Sequence, residues 1–248
     1  MLTLIAVIAV IGLVGATTSL LSPITAPFTK QPIPDDVPPA AAEAAPRIDV
    51  EAPGRTSEQL AQWAAPIAEA TGIPAVALQA YGNAEVTAAI SYPHCNLHWN
   101  TLAGLGKVET RHGTYTGKWL ESAEIHADGV ARPYIVGPQL NGDGFAEITD
   151  TDNGVIDGDP EYDRAVGPMQ FIPETWQRYG VDASGDGVAD PHNIDDAAMA
   201  AARLLCSGER DLSTPEGWTA AIRSYNNSAE YVRNVRDAAA NYALNQPA

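Results

Sequence analysis

Residues 229–244 read AEYVRNVRDAAANYAL. Tyr231, Val232, Val235, Ala238, Ala239 and Tyr242 recur at spacings of three and four, the pattern of an amphipathic helix laid against a core. The aromatic stripe reads as core. Working back along the chain, helical patterns also cover about 57–70, 74–91, 98–111, 173–179, 194–206 and 215–225. Thr56 with Glu58 and Gln59 marks the first helix start, and Pro74 suits an early turn. Residues 125–165 differ, with Gly, Asp and Asn scattered among short apolar pairs. They predict a short β-hairpin and ordered loops. The expectation is a mainly α (α+β) domain over residues 56–248, interrupted by one long irregular segment. Such segments inside compact domains are often functional.

Leu2 to Leu21 carries no charge and is mostly Leu, Ile, Val and Ala; the first positive charge is Lys30. About 20 apolar residues can cross a bilayer, and a signal peptide is the rival reading. Residues 1–22 are therefore expected to be a transmembrane anchor or signal peptide. Residues 23–55, rich in Pro, Ala and acid, are expected to be a semi-extended linker. The remainder is then extracytoplasmic, secreted or held at the membrane through its N-terminal segment. In that compartment Cys95 and Cys206 read as one disulfide closing a long loop, against two free buried thiols.

The chain has 14 basic and 31 acidic residues, a net charge of −17. Nucleic acid is excluded as a partner, because phosphate binding needs clustered Lys and Arg. The five His residues show no paired zinc-ligand spacing. No GxSxG, P-loop or GxGxxG fingerprint is present. A monomer with no organic cofactor is expected.

Four stretches can carry chemistry. In LAGLGKVETRHG, Glu109 lies near the end of an apolar, Gly-containing helix. Desolvation there would raise its pKa and suit it to protonate a glycosidic oxygen. A surface Glu pairing with Lys107 or Arg111 is the alternative. In AVGPMQFIPETWQRYG, residues 165–180, Gly167 and Pro168 make a turn and Pro173 opens a helix. Gln170 there can offer a donor and an acceptor to a sugar, with Met169 and Phe171 beside it as contacts or as core. In VDASGDGVADPHNIDDAAM, Asp182, Ser184, Asp186 and the Val188 carbonyl follow calcium-loop spacing. Position twelve is Asn193, so a longer loop closing on Asp196 would be needed; an Asp/Gly turn capping the next helix is the alternative. In RSYNNSAEYV, Tyr225 and Asn226 sit at a helix junction, where they could orient Glu109 and hold a sugar ring, or simply turn the chain. The stretch DTDNGVIDGDPEYD, residues 150–163, either binds a cation or forms turns.

In this order and spacing, GLGKVETRHG, AVGPMQFIPETWQRYGVDASGDG and RSYNNSAEYV resemble the lytic murein transglycosylases, most closely the membrane-bound lytic transglycosylase B type and its actinobacterial relatives. The resemblance spans about residues 95–245. It implies a lysozyme-like fold and a groove for peptidoglycan glycan strands. It implies cleavage of the β-1,4 bond between N-acetylmuramic acid and N-acetylglucosamine without water, leaving 1,6-anhydro ends. It assigns the acid and base to Glu109 and groove contacts to Gln170, Tyr225 and Asn226, with Met169 and Phe171 adjacent. Structural Ca2+ would be held by Asp182, Ser184, Asp186, Val188 and Asp196. The Asp-rich insertion before Gly167 departs from better-known members. Two rival functions stand beside this one: a muramidase using a second carboxylate among Asp150, Asp152, Asp157, Asp159 and Asp163, and a non-catalytic peptidoglycan-binding protein.

Overall fold

Ala-rich sequence and two glycines let three helices approach unusually closely, and this sets the architecture. In the computed structural model, which describes residues 29–117, 121–144 and 146–248, the helices are α1 (Ala61–Thr71), α2 (Ala75–Ser91), α3 (Trp99–Thr110), α4 (Pro173–Tyr179), α5 (Ile194–Leu205), α6 (Pro215–Tyr225) and α7 (Ala229–Ala243). A 3-10 turn at Thr56–Leu60 leads into α1. α2 packs along α5, and α3 along α7. A Cβ at Gly104 would lie 2.7 Å from the Val235 carbonyl oxygen, and one at Gly106 would lie 2.0 Å from the Tyr81 hydroxyl. These two positions of α3 therefore need glycine, whatever it costs in helix propensity. α7 buries Tyr231, Val235, Ala238, Ala239 and Tyr242, as its periodicity predicts.

The helix ends follow local chemistry. Ser228 caps α7 by accepting from the Tyr231 amide, Thr214 caps α6 by accepting from the Gly217 amide, and Asn193 caps α5 by accepting from the Asp195 amide. Pro at the first turn opens α4 and α6.

Between α3 and α4 the expected single hairpin is two antiparallel pairs. β1 (Glu124–Ile125) pairs with β2 (Ala131–Arg132), and β3 (Val136–Gln139) pairs with β4 (Arg164–Val166). Residues 140–163 form an excursion between β3 and β4. It stays ordered because backbone groups pair across it: Ile148 N donates to Leu140 O, Leu140 N to Asp163 O and Asp163 N to Ile148 O.

Residues 31–55 differ from the spacer expected over 23–55. They contain no regular helix or strand, yet they are strapped to the domain. Trp99 Nε1 donates to Glu43 O at 2.9 Å, Asn100 Nδ2 to Ala40 O at 3.0 Å, and Ala45 N to Glu85 Oε2 at 2.9 Å. Gln31 and the buried Gln246 exchange backbone–side-chain hydrogen bonds at 2.8 and 2.9 Å. At the other end Arg55 pairs with the buried Asp195 at 2.6 Å. Prolines remove amide donors and Ala adds little surface, so composition alone reads as a free linker. The partners that dock it come from α2, α3, α5 and the segment after α7, far away in sequence. Gln31–Ala248 accordingly forms one compact unit. The anchor or signal peptide expected over residues 1–22 lies outside the described residues. No helix among the described residues is long and apolar enough to cross a membrane.

Cys95 and Cys206 form a disulfide across 111 residues, and no free cysteine remains. The bond ties the segment before α3 to the end of α5.

Candidate active site

Glu109 occupies the last turn of α3, beside a groove of about 490 Å³. One wall comes from β3 and the excursion, through Pro138, Leu140, Ala146 and Ile148. The floor comes from Ala165, Gln170, Phe171 and Ile172, and the opposite side from Ser224, Tyr225, Asn226 and Asn227. Among the described residues lining it, Glu109 is the only carboxyl. Burial pushes its pKa up to about 7, against the lowering effect of a hydrogen bond from the Tyr231 hydroxyl. A carboxyl held near neutrality in this way can both give and take a proton. Clefts of about 600 and 620 Å³ lie elsewhere.

The partner of Glu109 corrects the sequence-based expectation. Tyr231 orients the carboxyl, whereas the Tyr225 hydroxyl donates to Met169 O at 2.6 Å. Tyr225 stacks nearly parallel to Tyr231, with ring centroids 6.5 Å apart. Tyr231 belongs to the apolar stripe of α7, so periodicity files it under core. A buried tyrosine hydroxyl needs a polar partner, and that was the available signal. Arg111 lies over the Tyr115 ring at 5.2 Å.

The end of α3 is held rigidly. Thr110 Oγ1 donates to Pro168 O at 2.6 Å and accepts from Gly113 N at 2.7 Å. His112 is buried between Tyr81, at 3.2 Å, and Tyr242, at 2.8 Å. Burial, with the charge of Lys107, drives its pKa down to about 3, so it is neutral.

The GPMQF turn meets the groove at Gln170. Val166 and Phe171 bridge it, and Gly167 has φ 76° with Pro191 O only 1.8 Å from where a Cβ would sit. Gln170 itself has φ 52°. Its amide nitrogen donates to the Gly167 and Ala165 carbonyls at 3.1 and 3.4 Å. Met169 is fully buried and not among the residues lining the groove. Phe171 is 2% exposed, with only an edge at the groove and its ring against Trp176 and Tyr225. Met169, expected as a substrate contact, lies in the core instead, whereas Phe171 keeps a place in the groove floor. Asn226 is exposed at the groove.

In the acidic loop before α5, Asp182 accepts from Ser184 Oγ, Gly185 N and Gly187 N. Asp196 reaches back to accept from the amides of Ala183, Ser184 and Asp190. Asn193 is spent on capping, so the loop closes on Asp196. Burial first, and then the charge of Asp182, raise Asp196 to about 6 despite these amides. Asp186 and Val188 are exposed. Asp182, Ser184, Asp186, the Val188 carbonyl and Asp196 offer only hard oxygens. Here the oxygens of Asp182 and Asp196 are taken up by backbone amides and the Ser184 hydroxyl.

The Asp-rich stretch forms turns. Asp150 accepts from the amides of Asp152, Asn153 and Gly154, and the buried Asp163 accepts from Thr151 N and Oγ1. Asp159 accepts from Arg164 Nε and Gln139 Nε2, both at 2.7 Å. Oxygens of Asp150, Asp152 and Asp163 lie within 4.8 Å of one another. These acids stiffen the excursion that carries Leu140, Ala146 and Ile148 into the groove wall, a contribution that sequence reasoning missed.

Comparison with known proteins bears on part of this region. No curated protein sequence matches the chain. The Escherichia coli lytic transglycosylase Slt35, solved in complex with bulgecin A, is similar with a TM-score of 0.42 and 15% identity, over 78% of this chain and 80% of that one. Residues 160–218 match the family model described as Transglycosylase SLT domain, a span that includes Gln170 and the acidic loop and leaves Glu109, Tyr225 and Tyr231 outside.

Proposed function

We infer that this chain is a peptidoglycan lytic transglycosylase. The observation that carries the reading is Glu109: a carboxyl raised to about 7, alone of its kind among the described groove residues. The SLT-domain match over residues 160–218 supports it. Two-carboxylate hydrolysis needs a second acid to activate water or form an adduct, and no described lining residue offers one.

Glu109 protonates the oxygen between N-acetylmuramic acid and the following N-acetylglucosamine. The C1–O bond breaks, and the 4-hydroxyl of N-acetylglucosamine leaves. The muramyl 2-acetamido oxygen supports C1 as positive charge develops. The Glu109 carboxylate then takes the proton from the muramyl 6-hydroxyl as O6 bonds to C1, closing the 1,6-anhydro ring. Proton and bond counts balance with no water consumed. Tyr231 holds the carboxyl in place. The apolar wall of Leu140, Ala146 and Ile148 keeps the site dry, which favours the internal nucleophile. The Gln170 oxygen and the Asn226 side chain serve as partners for the sugar.

The same reading places the protein outside the cytoplasm, at the cell wall, with residues 1–22 as anchor or signal. It also gives structural calcium to the loop of Asp182, Ser184, Asp186, Val188 and Asp196. The test is incubation with purified peptidoglycan and mass spectrometry of the released muropeptides, beside Glu109→Gln. Anhydro ends from wild type alone support the proposal. Reducing ends make the protein a hydrolase, and no release from folded protein makes it a wall-binding protein.

A further inference from the structure

Next to the Glu109 groove lies a second recess of about 520 Å³, and the two share Thr175, Leu204 and Ser224 as lining. The groove is lined by apolar and amide side chains. The recess instead holds two guanidinium groups, Arg178 and Arg210. Arg178 is exposed on α4, lying over the Tyr179 ring at 5.3 Å. Arg210 is half-buried. Its Nη1 faces Leu204 O at 2.9 Å, Leu205 O at 3.3 Å, Ser207 Oγ at 3.2 Å and Ser224 Oγ at 3.3 Å. That pins the group at the end of α5 and leaves Nε and Nη2 without a hydrogen bond to any described residue.

Among the described residues Arg55, Arg132, Arg164 and Arg236 pair with a carboxylate; the other seven arginines do not, and two of those seven line this recess. Among the described residues neither Arg178 nor Arg210 has an acidic partner within 4.0 Å, although Glu174 lines the same recess one turn before Arg178. A planar guanidinium fork matches a carboxylate better than any other common anion on a peptide.

We propose that this recess binds a carboxylate of the peptide stem carried by the glycan strand, so that the protein prefers strands still bearing anionic peptides. The inference rests on the glycan-cleaving reading of the adjoining groove. It places the enzyme before the amidases that strip peptides from the strand.

Three soluble ligands decide it: peptide-bearing strands, the same strands stripped by an amidase, and peptide-bearing strands whose carboxylates have been converted to amides. Binding is measured calorimetrically on the Glu109→Gln protein, and turnover on the wild type. Peptide-bearing strands should bind about tenfold tighter than the other two, with the margin shrinking as salt rises. Adding Arg178→Gln should cut that margin at least about threefold, and adding Arg210→Gln as well should bring it near one. Arg210 braces α5, so the double variant could misfold; Arg178 makes no hydrogen bond to a described residue, and its single substitution suffices. Equal binding of all three strands overturns the proposal, as does absence of binding or a margin untouched by Arg178→Gln. A preference that survives amidation also overturns it. Failure of wild type to cleave any strand removes the catalytic reading instead, while the binding margin still judges the recess.

Discussion

The Tyr231 hydroxyl donates to Oε1 of Glu109 across 122 residues of sequence. It joins the first turn of α7 to the last turn of α3, and it stabilises the ionised form of a carboxyl that burial makes reluctant to ionise.

Replacing Tyr231 with Phe removes that stabilisation. The Glu109 pKa should rise further above about 7, moving the alkaline edge of the kcat profile upward. Because the carboxyl also loses its orientation, kcat should fall about tenfold, the worth of one hydrogen bond in the transition state. An alkaline edge that stays put or moves down would show that Tyr231 does not act on Glu109.

Glu109 also makes stability depend on pH. Its folded pKa, about 7, lies above the ordinary 4.5. Its contribution is therefore complete below about 4.5 and is lost as pH rises through 7. Denaturant unfolding at pH 8 should find Glu109→Gln more stable than wild type by about 1–3 kcal/mol, with the two converging near pH 4. A gap that does not depend on pH would refute the raised pKa.

Gly167→Ala forces a Cβ against Pro191 O, at a residue whose φ is 76°. Backbone on both sides leaves nothing free to yield. The variant should lose about 3 kcal/mol or more and melt about 10 °C lower. Gln170 should also shift in the groove. A native melting temperature would mean that the turn relaxes around the new methyl.

Calcium in the 182–196 loop should stabilise the native state by mass action, by about 2.7 kcal/mol at a hundredfold excess over Kd. Chelation of calcium-loaded protein should lower Tm, and Asp196→Asn should abolish the response. An unchanged melting curve after chelation would leave the loop as a set of backbone caps.

The helices were legible in the sequence, because apolar spacing and turn prolines act within a few residues of one another. The positions from Thr56 to Ala243 agree with the structure to within a residue or two at most boundaries. The glycines of α3 were visible as residues, but their reason, contact with Tyr81 and with the α7 backbone, was not.

Four matters were decided by the tertiary structure alone. Tyr231, not Tyr225, holds Glu109, since both are aromatics at the same corner and only the packing of α7 on α3 separates them. The strap from Gln31 to Arg55 docks because its partners, Trp99, Asn100, Glu85, Gln246 and Asp195, converge only after folding. The Asp-rich excursion became a groove wall through amide-to-carboxylate caps whose geometry no spacing rule encodes. Met169 went to the core beside a turn too tight for a Cβ at Gly167, while Phe171 stayed at the groove floor. Sequence determines what is local in the chain, namely which segments coil and which residue types can transfer a proton. Folding decides which distant groups end up within hydrogen-bond reach, and there that choice sets the pKa of Glu109.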